Sequence, residues 1–219
     1  MNEYLDKNDL YFGDNRIEML KFVPEGTKKI LDIGCGQGLF GKLCKEEFNC
    51  VVHGIELVDK AAEIAKNNID KVLIGDVYKN LDLLENEYYD LIVLNDVIEH
   101  VPNPEELIRL IKNRLNHEGV VLFSVPNFRY IYNLIEVVLK KNFDYTDSGT
   151  LDKTHLTFFT KNSFKKTVEK LDYKVIRVNG INEANSLYMK LLKPFLKIIS
   201  HEDVLFYQFA FLIKPVKNV

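Results

Sequence analysis

An α/β fold, with a parallel sheet covered by helices on both faces, is the class this sequence predicts. Strand-like and helix-like segments alternate from Lys28 to Val125, the pattern of strands joined by helical crossovers. The strand-like segments are almost uniformly apolar, as in Leu91-Ile92-Val93-Leu94, which suits strands buried on both faces. The first of them runs into glycines at alternate positions, Gly34, Gly36 and Gly38, directly ahead of a helical pattern. Such a turn lets backbone come within contact distance of a ligand.

The elements follow in order. Leu10 to Phe22 sets Ile17, Leu20 and Phe22 among polar residues and predicts a helix outside the first strand, stopped by Pro24-Glu25-Gly26. Lys28 to Ile33 is the first strand. Leu39 to Phe48 is a helix with Leu39, Phe40 and Leu43 inward, and Cys50 to Ile55 is the second strand. Asp59, as N-cap, starts a helix through Ile64 and Ala65. Lys71 to Ile74 and Tyr89 to Leu94 are the third and fourth strands. Asn103-Pro104-Glu105-Glu106 opens a helix to Leu115 with a cap, a proline at its first position and acids in its first turn. Gly119 to Val125 is the fifth strand. Right-handed crossovers place the carboxyl ends of these strands on one edge, where ligands bind near the reversal of strand order.

Beyond the fifth strand the alternation lapses. Phe128 to Lys141 predicts a helix, Asn142 to Lys153 a polar loop, Asn162 to Leu171 a helix capped by Thr160 with Ser163 as the alternative, and Tyr173 to Val178 a sixth strand. Ser186 to Ile199 is apolar and basic around Pro194, and Val204 to Ile213 is a final strand rich in Phe and Tyr. Residues 1–219 are expected to form one domain, with 128–160 and 182–200 as helical lid insertions on the substrate side.

Composition bounds the class. The apolar content of 47% and charged content of 28% in 219 residues suit a globular chain with a sizeable core. A polar, acidic start from Met1 to Asp9 argues against a signal peptide, and no apolar run has the length of a membrane span. Cys35, Cys44 and Cys50 fit neither a zinc spacing nor a disulfide framework. Reduced core thiols in a cytoplasmic protein are the expectation. Residues 1–128 carry 14 basic and 23 acidic side chains, whereas 129–199 carry 13 and 7. That asymmetry suits either an anionic partner for the second part or plain solvated lysine faces.

Acids gather at the predicted strand ends: Asp32 ahead of the glycines, Glu56 after the second strand, Asp76 after the third and Asn95-Asp96 after the fourth. Glu56 stands where a carboxylate can accept from both ribose hydroxyls. Asp76 stands where one can accept from an adenine amine, beside Leu57 and Val77. A dinucleotide pyrophosphate would be repelled by Asp32, which suits a cationic ligand instead.

Together Leu31-Asp32-Ile33-Gly34-Cys35-Gly36-Gln37-Gly38, Gly54-Ile55-Glu56, Gly75-Asp76-Val77, Asp90 to Val101 and Gly119 to Asn127 resemble the class I S-adenosylmethionine-dependent methyltransferases. The resemblance covers roughly residues 28–180. It implies a Rossmann-like, doubly wound sheet of seven strands in the order 3-2-1-4-5-7-6, the last strand antiparallel. It implies S-adenosylmethionine as cofactor, held by Asp32, Gly34, Cys35, Gly36, Gly38, Glu56, Leu57, Asp76, Val77, Asn95, Asp96 and Val97.

Methyl transfer to oxygen or nitrogen can need a base, and His100 and His155 are the candidates. Asp96, Glu99 and His100 share one face of a helical turn and are similar to the Glu-x-x-Glu-His metal-binding element of ubiquinone-pathway and small-RNA methyltransferases. Asp96 is shorter than the glutamate of that pattern, so no metal is assigned and this trio stands as the alternative. Lys153 to Thr160 is similar to a segment that closes over the substrate in sugar and other small-molecule methyltransferases. Tyr130, Tyr132 and Tyr145 line a substrate pocket or form lid core. Leu187 to Ile199 is an interfacial helix, a lid or a homodimer contact. The expected acceptor is a small-molecule oxygen or nitrogen, on a sugar or a quinone-like phenol. The alternatives are an RNA ribose 2′-hydroxyl and a non-catalytic cofactor-binding module. The absence of an Asn/Asp-Pro-Pro-aromatic element at Asn95-Asp96-Val97-Ile98 argues against base methylation of nucleic acid.

Overall fold

The computed structural model describes residues 11–198 and 201–216; expectations for Met1 to Leu10, Ile199 and Ser200 lie outside these. The strands are β1 (Lys29–Ile33), β2 (Val51–Glu56), β3 (Lys71–Ile74), β4 (Tyr89–Asn95), β5 (Leu115–Pro126), β6 (Tyr173–Glu183) and β7 (Phe206–Pro215). They form one sheet in the order β3-β2-β1-β4-β5-β7-β6. The first five run parallel, and β7 lies antiparallel between β5 and β6.

Alternation along each strand divides the core into two faces. Leu31, Ile33, Ile92, Leu94 and Phe123 belong to one cluster, and Ile30, Val52, Leu91, Val93 and Leu122 to the other. The helices α1 (Leu39–Phe48), α2 (Asp59–Ala65), α3 (Val77–Leu81), α4 (Pro104–Lys112) and α6 (Lys161–Lys170) accompany the sheet. The rest are α5 (Ile131–Leu134), continued by a wide turn over Ile135–Leu139, and α7 (Leu187–Ile198).

One acid fixes the edge opposite the strand carboxyl ends. Asp90 accepts from the backbone N–H groups of Lys28 and Lys29 at 2.7 and 2.9 Å and from the Asn116 amide at 2.5 Å. It thereby ties the starts of β1, β4 and β5. Because strands rise about 3.3 Å per residue in a fixed register, this clamp also fixes where Ile33, Asn95 and Pro126 emerge on the far edge.

Several expected elements change. Leu10 to Phe22 is no single helix: within the described residues it is two 3₁₀ turns, Tyr11–Gly13 and Ile17–Phe22. Between them the Asp14 side chain accepts from Arg16 N–H at 3.1 Å and that of Asn15 from Ile17 N–H at 3.2 Å. These local bonds compete with helix and leave Arg16 at φ 48°. Asp59 is the first helical residue rather than the cap; Val58 holds that position and donates its N–H to Glu56 Oε1 at 2.9 Å. Asn103 stands at the start of α4 without a side-chain cap bond. In α1 the buried face is Phe40, Gly41 and Cys44 rather than Leu39 and Leu43. A Cβ at Gly41 would press on Ile69 and Val52, so the glycine lets the helix lie close to β2.

α3 is absent from the sequence expectation, being a single short helix capped by Asp76, which accepts from Lys79 N–H at 3.3 Å. The Thr160–Ser163 pair forms a reciprocal capping box on α6. Pro194 lies inside α7 without ending it.

Phe164 of α6 is fully buried and stacks edge-on with Phe123, Phe159 and Phe211 at ring separations of 4.9–5.2 Å. Replacing it with alanine removes one member from three aromatic pairs and leaves a cavity. Phe164→Ala is expected to cost about 3–5 kcal/mol in denaturant unfolding.

Candidate functional site at the carboxyl edge of the sheet

Two cavities open at the carboxyl edge, one of about 350 Å³ and one of about 240 Å³. They share Gly34, Val97 and His100. The glycine turn shapes their common wall. Gly34 has φ 69° and Gly36 φ 54°, in the left-handed region that favours glycine. A Cβ at Gly34 would overlap the Val97 side chain, and one at Gly36 would meet Phe12 O at 2.6 Å. Gly34 and Cys35 both donate to Ile55 O, at 2.8 and 3.2 Å. Gly38 lines neither cavity; it is the left-handed N-cap of α1.

The smaller cavity holds Glu56, Leu57, Asp76 and Val77 on one wall and Lys153, Thr154 and Leu156 on the other. Glu56 is 1% exposed. Its Oε2 accepts from Gly36 N–H at 2.8 Å, so the acid after β2 directly holds the glycine turn after β1. Burial pushes its carboxyl above the ordinary value, against the bonds from the Val58 and Gly36 N–H groups, which act the other way. Asp32, 2% exposed, lines the larger cavity. Burial, with Glu56 as a like charge, pushes its carboxyl up to about 8. A cation brought into that cavity would restore its charge.

Asp96 stands at φ 53° and belongs to a network the sequence did not anticipate. It is ion-paired to Arg16, and its Oδ1 accepts from Gln208 Nε2 at 2.6 Å and from Ser124 Oγ at 2.9 Å. Gln208 Oε1 in turn accepts from Arg16 at 3.2 Å and from Asn182 at 3.0 Å. The link between the two 3₁₀ turns, the end of β4, and β5, β6 and β7 thus meet over the larger cavity, which Arg16, Asp96, Asn182 and Gln208 all line. Gln208 carried a usable signal, as a polar residue inside an apolar strand. The Gly13-Asp14-Asn15 breaker was the signal for Arg16. Asn95 lies beside this network with both side-chain polar atoms buried and no partner among the described residues.

The alternative trio Asp96, Glu99 and His100 is not the group that converges. The donors that converge are Glu99, His100 and His155, with ligand atoms all within 4.8 Å of one another. Asp96 is drawn away by Arg16, and His155 arrives from the 128–160 segment instead. Glu99 is 1% exposed, and neither carboxylate oxygen has a hydrogen-bond partner among the described residues. Burial and Asp96 push its carboxyl well up. His155 Nε2 lies 3.9 Å from Glu99 Oε1. Burial and His100 press the His155 imidazole down to about 4, so it is neutral near pH 7.

His100 is oriented from behind. Its Nδ1 lies 3.1 Å from Thr154 O, an acceptor, which assigns the proton to Nδ1 and the lone pair to Nε2. The Thr154 hydroxyl is held by Asp152 at 2.8 Å. Leu156 and Thr157 N–H groups both donate to Glu99 O, locking the His155 segment onto the end of β4. Tyr130, Tyr132 and Tyr145 line neither cavity; Tyr130 packs edge-on against Tyr207, which does line the larger one. Cys35 and the other two thiols are buried and unbridged, and burial raises the Cys35 thiol. Among the described residues no helix is long and apolar enough to cross a membrane.

Residues 4–178 match the family model described as a methyltransferase domain. A ubiquinone biosynthesis O-methyltransferase of Glaesserella parasuis is 30% identical over 109 residues, 46% of this chain and 46% of that protein. One of Coxiella burnetii is 24% identical over 162 residues, 71% of this chain and 67% of that protein. The chain spans about half the length of the first curated relatives it matches. Its fold is shared with an S-adenosylmethionine-dependent methyltransferase from Archaeoglobus fulgidus, at TM-score 0.70, 20% identity and 97% coverage of both chains. A second such structure, from Mesorhizobium loti, has TM-score 0.60 and 16% identity, and covers 92% of this chain and 99% of that one.

Asp32 generates a stability prediction with a definite sign. Its folded value of about 8 lies above the ordinary 3.8. The cost of burying it is therefore absent below pH 3.8, grows as pH rises and is complete above about pH 8. Asp32→Asn is expected to raise the melting temperature of the ligand-free protein by several degrees near pH 8 and to leave it almost unchanged near pH 4. Thermal unfolding across that range checks it.

Proposed function

The chain belongs to the methyltransferase-domain family, within the class I S-adenosylmethionine-dependent methyltransferases, and from that premise we propose that it methylates an oxygen of a small-molecule acceptor. The observation that carries the reading is the pair of cavities joined at Gly34, Val97 and His100. The smaller offers carboxylates and apolar walls for an adenosyl group: Glu56 for the ribose hydroxyls, Asp76 for the adenine amine, Leu57 and Val77 against the ring. Asp32 faces the cationic amine of the methionine portion, with Gly34, Cys35, Gly36, Asn95 and Val97 around the chain between. Asp96 serves by holding Arg16 and Gln208 at the cavity wall rather than by touching the cofactor.

S-adenosylmethionine supplies an activated methyl group, so the protein chiefly aligns acceptor, methyl carbon and sulfur. When bound, the cofactor would give its methyl group to the acceptor oxygen, and its sulfur would keep the electron pair of the broken carbon–sulfur bond as a neutral thioether. The acceptor proton must leave, and His100, His155 and Glu99 stand in the larger cavity to take it. His155 at about 4 is a weak base alone, and the buried Glu99 carboxyl lies 3.9 Å from its Nε2. The polar wall of Arg16, Asn182 and Gln208 favours a hydroxylated acceptor, sugar-like or phenolic. Residues 128–160 and 182–198 act as one cap over the two cavities, since His155 and Asn182 line the larger and Lys153, Thr154 and Leu156 the smaller.

The unpartnered carboxylate of Glu99 beside two imidazoles favours a second reading of the same trio. A divalent cation fits this donor set. It would be held by Glu99, His100 and His155 and would supply Lewis-acid polarisation of the acceptor hydroxyl.

Calorimetric titration with S-adenosylmethionine tests the donor: Glu56→Ala is expected to weaken binding about 10- to 100-fold through two lost charge-assisted bonds. A turnover screen over sugars, phenols and RNA tests the acceptor, and turnover on RNA alone would replace the small-molecule reading. His155→Ala is expected to lower turnover about 100-fold or more with cofactor affinity unchanged. Chelation that abolishes turnover, restored by added cation, would select the metal reading; unchanged turnover would select proton transfer to Glu99 and the histidines.

A further inference from the structure

Two helical segments beside the larger cavity leave large apolar side chains in water. α7 buries Met189 and Leu196 in a small cluster with Ala184, Val204 and Leu205, against which Tyr130, Ile131 and Leu134 pack. Its opposite side is apolar as well. At about 100° per residue, Leu187, Leu191, Phe195 and Ile198 fall on one stripe with Tyr188 beside it, and these five are 57–81% exposed. Lys190, Lys193 and Lys197 occupy a separate arc, between the buried side and the exposed stripe. The turn after α5 adds exposed Val138 and Leu139, followed by Lys140 and Lys141. An apolar surface of this kind, rimmed by charge, marks an interaction site.

The chemistry of the rim selects the occupant. Leu187–Ile198 contains three lysines and no acid, and the chain's positive excess lies within residues 129–199. Lys193 pairs with Glu183 and Lys140 with Glu136, both at 2.6 Å. A two-fold contact with a second copy would set this basic rim against itself. An anionic bilayer complements both features, taking the apolar stripe at the boundary of headgroups and acyl chains and the lysines at the lipid phosphates. We propose that α7 and the Ile135–Leu139 turn form an interfacial docking surface for anionic phospholipid membranes.

The helix that carries the stripe is tied to the larger cavity through its buried side. Asn182, on the cavity wall, lies five residues ahead of α7 on the chain. Tyr130, packed on the α7 cluster, stacks edge-on against cavity-lining Tyr207 at 5.3 Å. Docking through α7 would bring the larger cavity to the membrane surface, where a lipid-linked hydroxyl is presented. That last step rests on the acceptor reading above, whereas docking itself is measured without turnover.

Co-sedimentation with vesicles tests it, using phosphatidylcholine alone and phosphatidylcholine mixed with phosphatidylglycerol, at low and high salt. The protein is expected to pellet with the anionic vesicles and to be released by salt. Lys190→Glu/Lys197→Glu and, separately, Leu191→Glu/Phe195→Glu are each expected to lower binding at least about tenfold. None of these four residues lines either cavity, so calorimetric affinity for S-adenosylmethionine should be unchanged in both variants. Protein left in the supernatant with anionic vesicles overturns the proposal, as does pelleting that neither variant alters. A homodimer in sedimentation velocity that Leu191→Glu/Phe195→Glu converts to monomer, without vesicle binding, assigns the surface to a second copy instead.

Discussion

Asp32 and Glu56 are carboxylates at the ends of neighbouring parallel strands, and both are shut off from water. Two like charges in that position oppose the fold unless something answers them. Glu56 is answered from within, by the N–H groups of Gly36 and Val58. Those bonds define the glycine turn, and through the turn they set the wall shared by both cavities. Asp32 keeps a raised carboxyl in the absence of ligand. The Glu56 side is thus preorganised by backbone, while the Asp32 side holds a carboxyl that a cation would answer. The Asp90 clamp at the opposite edge holds the strand register on which this arrangement depends.

The larger cavity is assembled differently, from parts distant in sequence. Arg16, Asp96, Ser124, Asn182 and Gln208 meet in one hydrogen-bonded layer, and the 128–160 segment delivers His155 to Glu99 and His100. His100 belongs to both cavities. One short turn after β4 thus bears on both cavities: Val97 lies against Gly34, Asp96 anchors Arg16, and Glu99 and His100 converge with His155. A membrane-docking face beside this layer would bring a hydrophobic acceptor to it without a deep apolar tunnel.

Sequence reveals the glycine turn and the strand-end acids far better than the polar layer over the larger cavity, for a physical reason. A parallel sheet has a regular alternation, and a glycine turn with positive φ leaves a visible residue signature at Gly34 and Gly36. Strand ends can therefore be located, and with them Asp32, Glu56, Asp76 and Asp96. That polar layer depends on pairings 80–192 residues apart, such as Arg16 with Asp96 and with Gln208, which no periodicity encodes. Asp96 shows the limit most clearly. Its i, i+3, i+4 relation to Glu99 and His100 suggested one cluster, but its left-handed backbone and the Arg16 guanidinium send it to another. The first segment failed as a helix because Asp14 and Asn15 satisfied the backbone locally, an outcome their residue types permitted but their spacing did not announce.

The central claim is that the buried Asp32 carboxyl is completed by the cationic cofactor. Titration calorimetry with S-adenosylmethionine near pH 7, in buffers of different ionisation enthalpy, counts protons exchanged on binding. With Asp32 near 8 in the free protein, binding is expected to release close to one proton to the buffer, and Asp32→Asn should abolish that release. Tight binding by the unaltered protein with no proton released, or with protons taken up, would contradict the account.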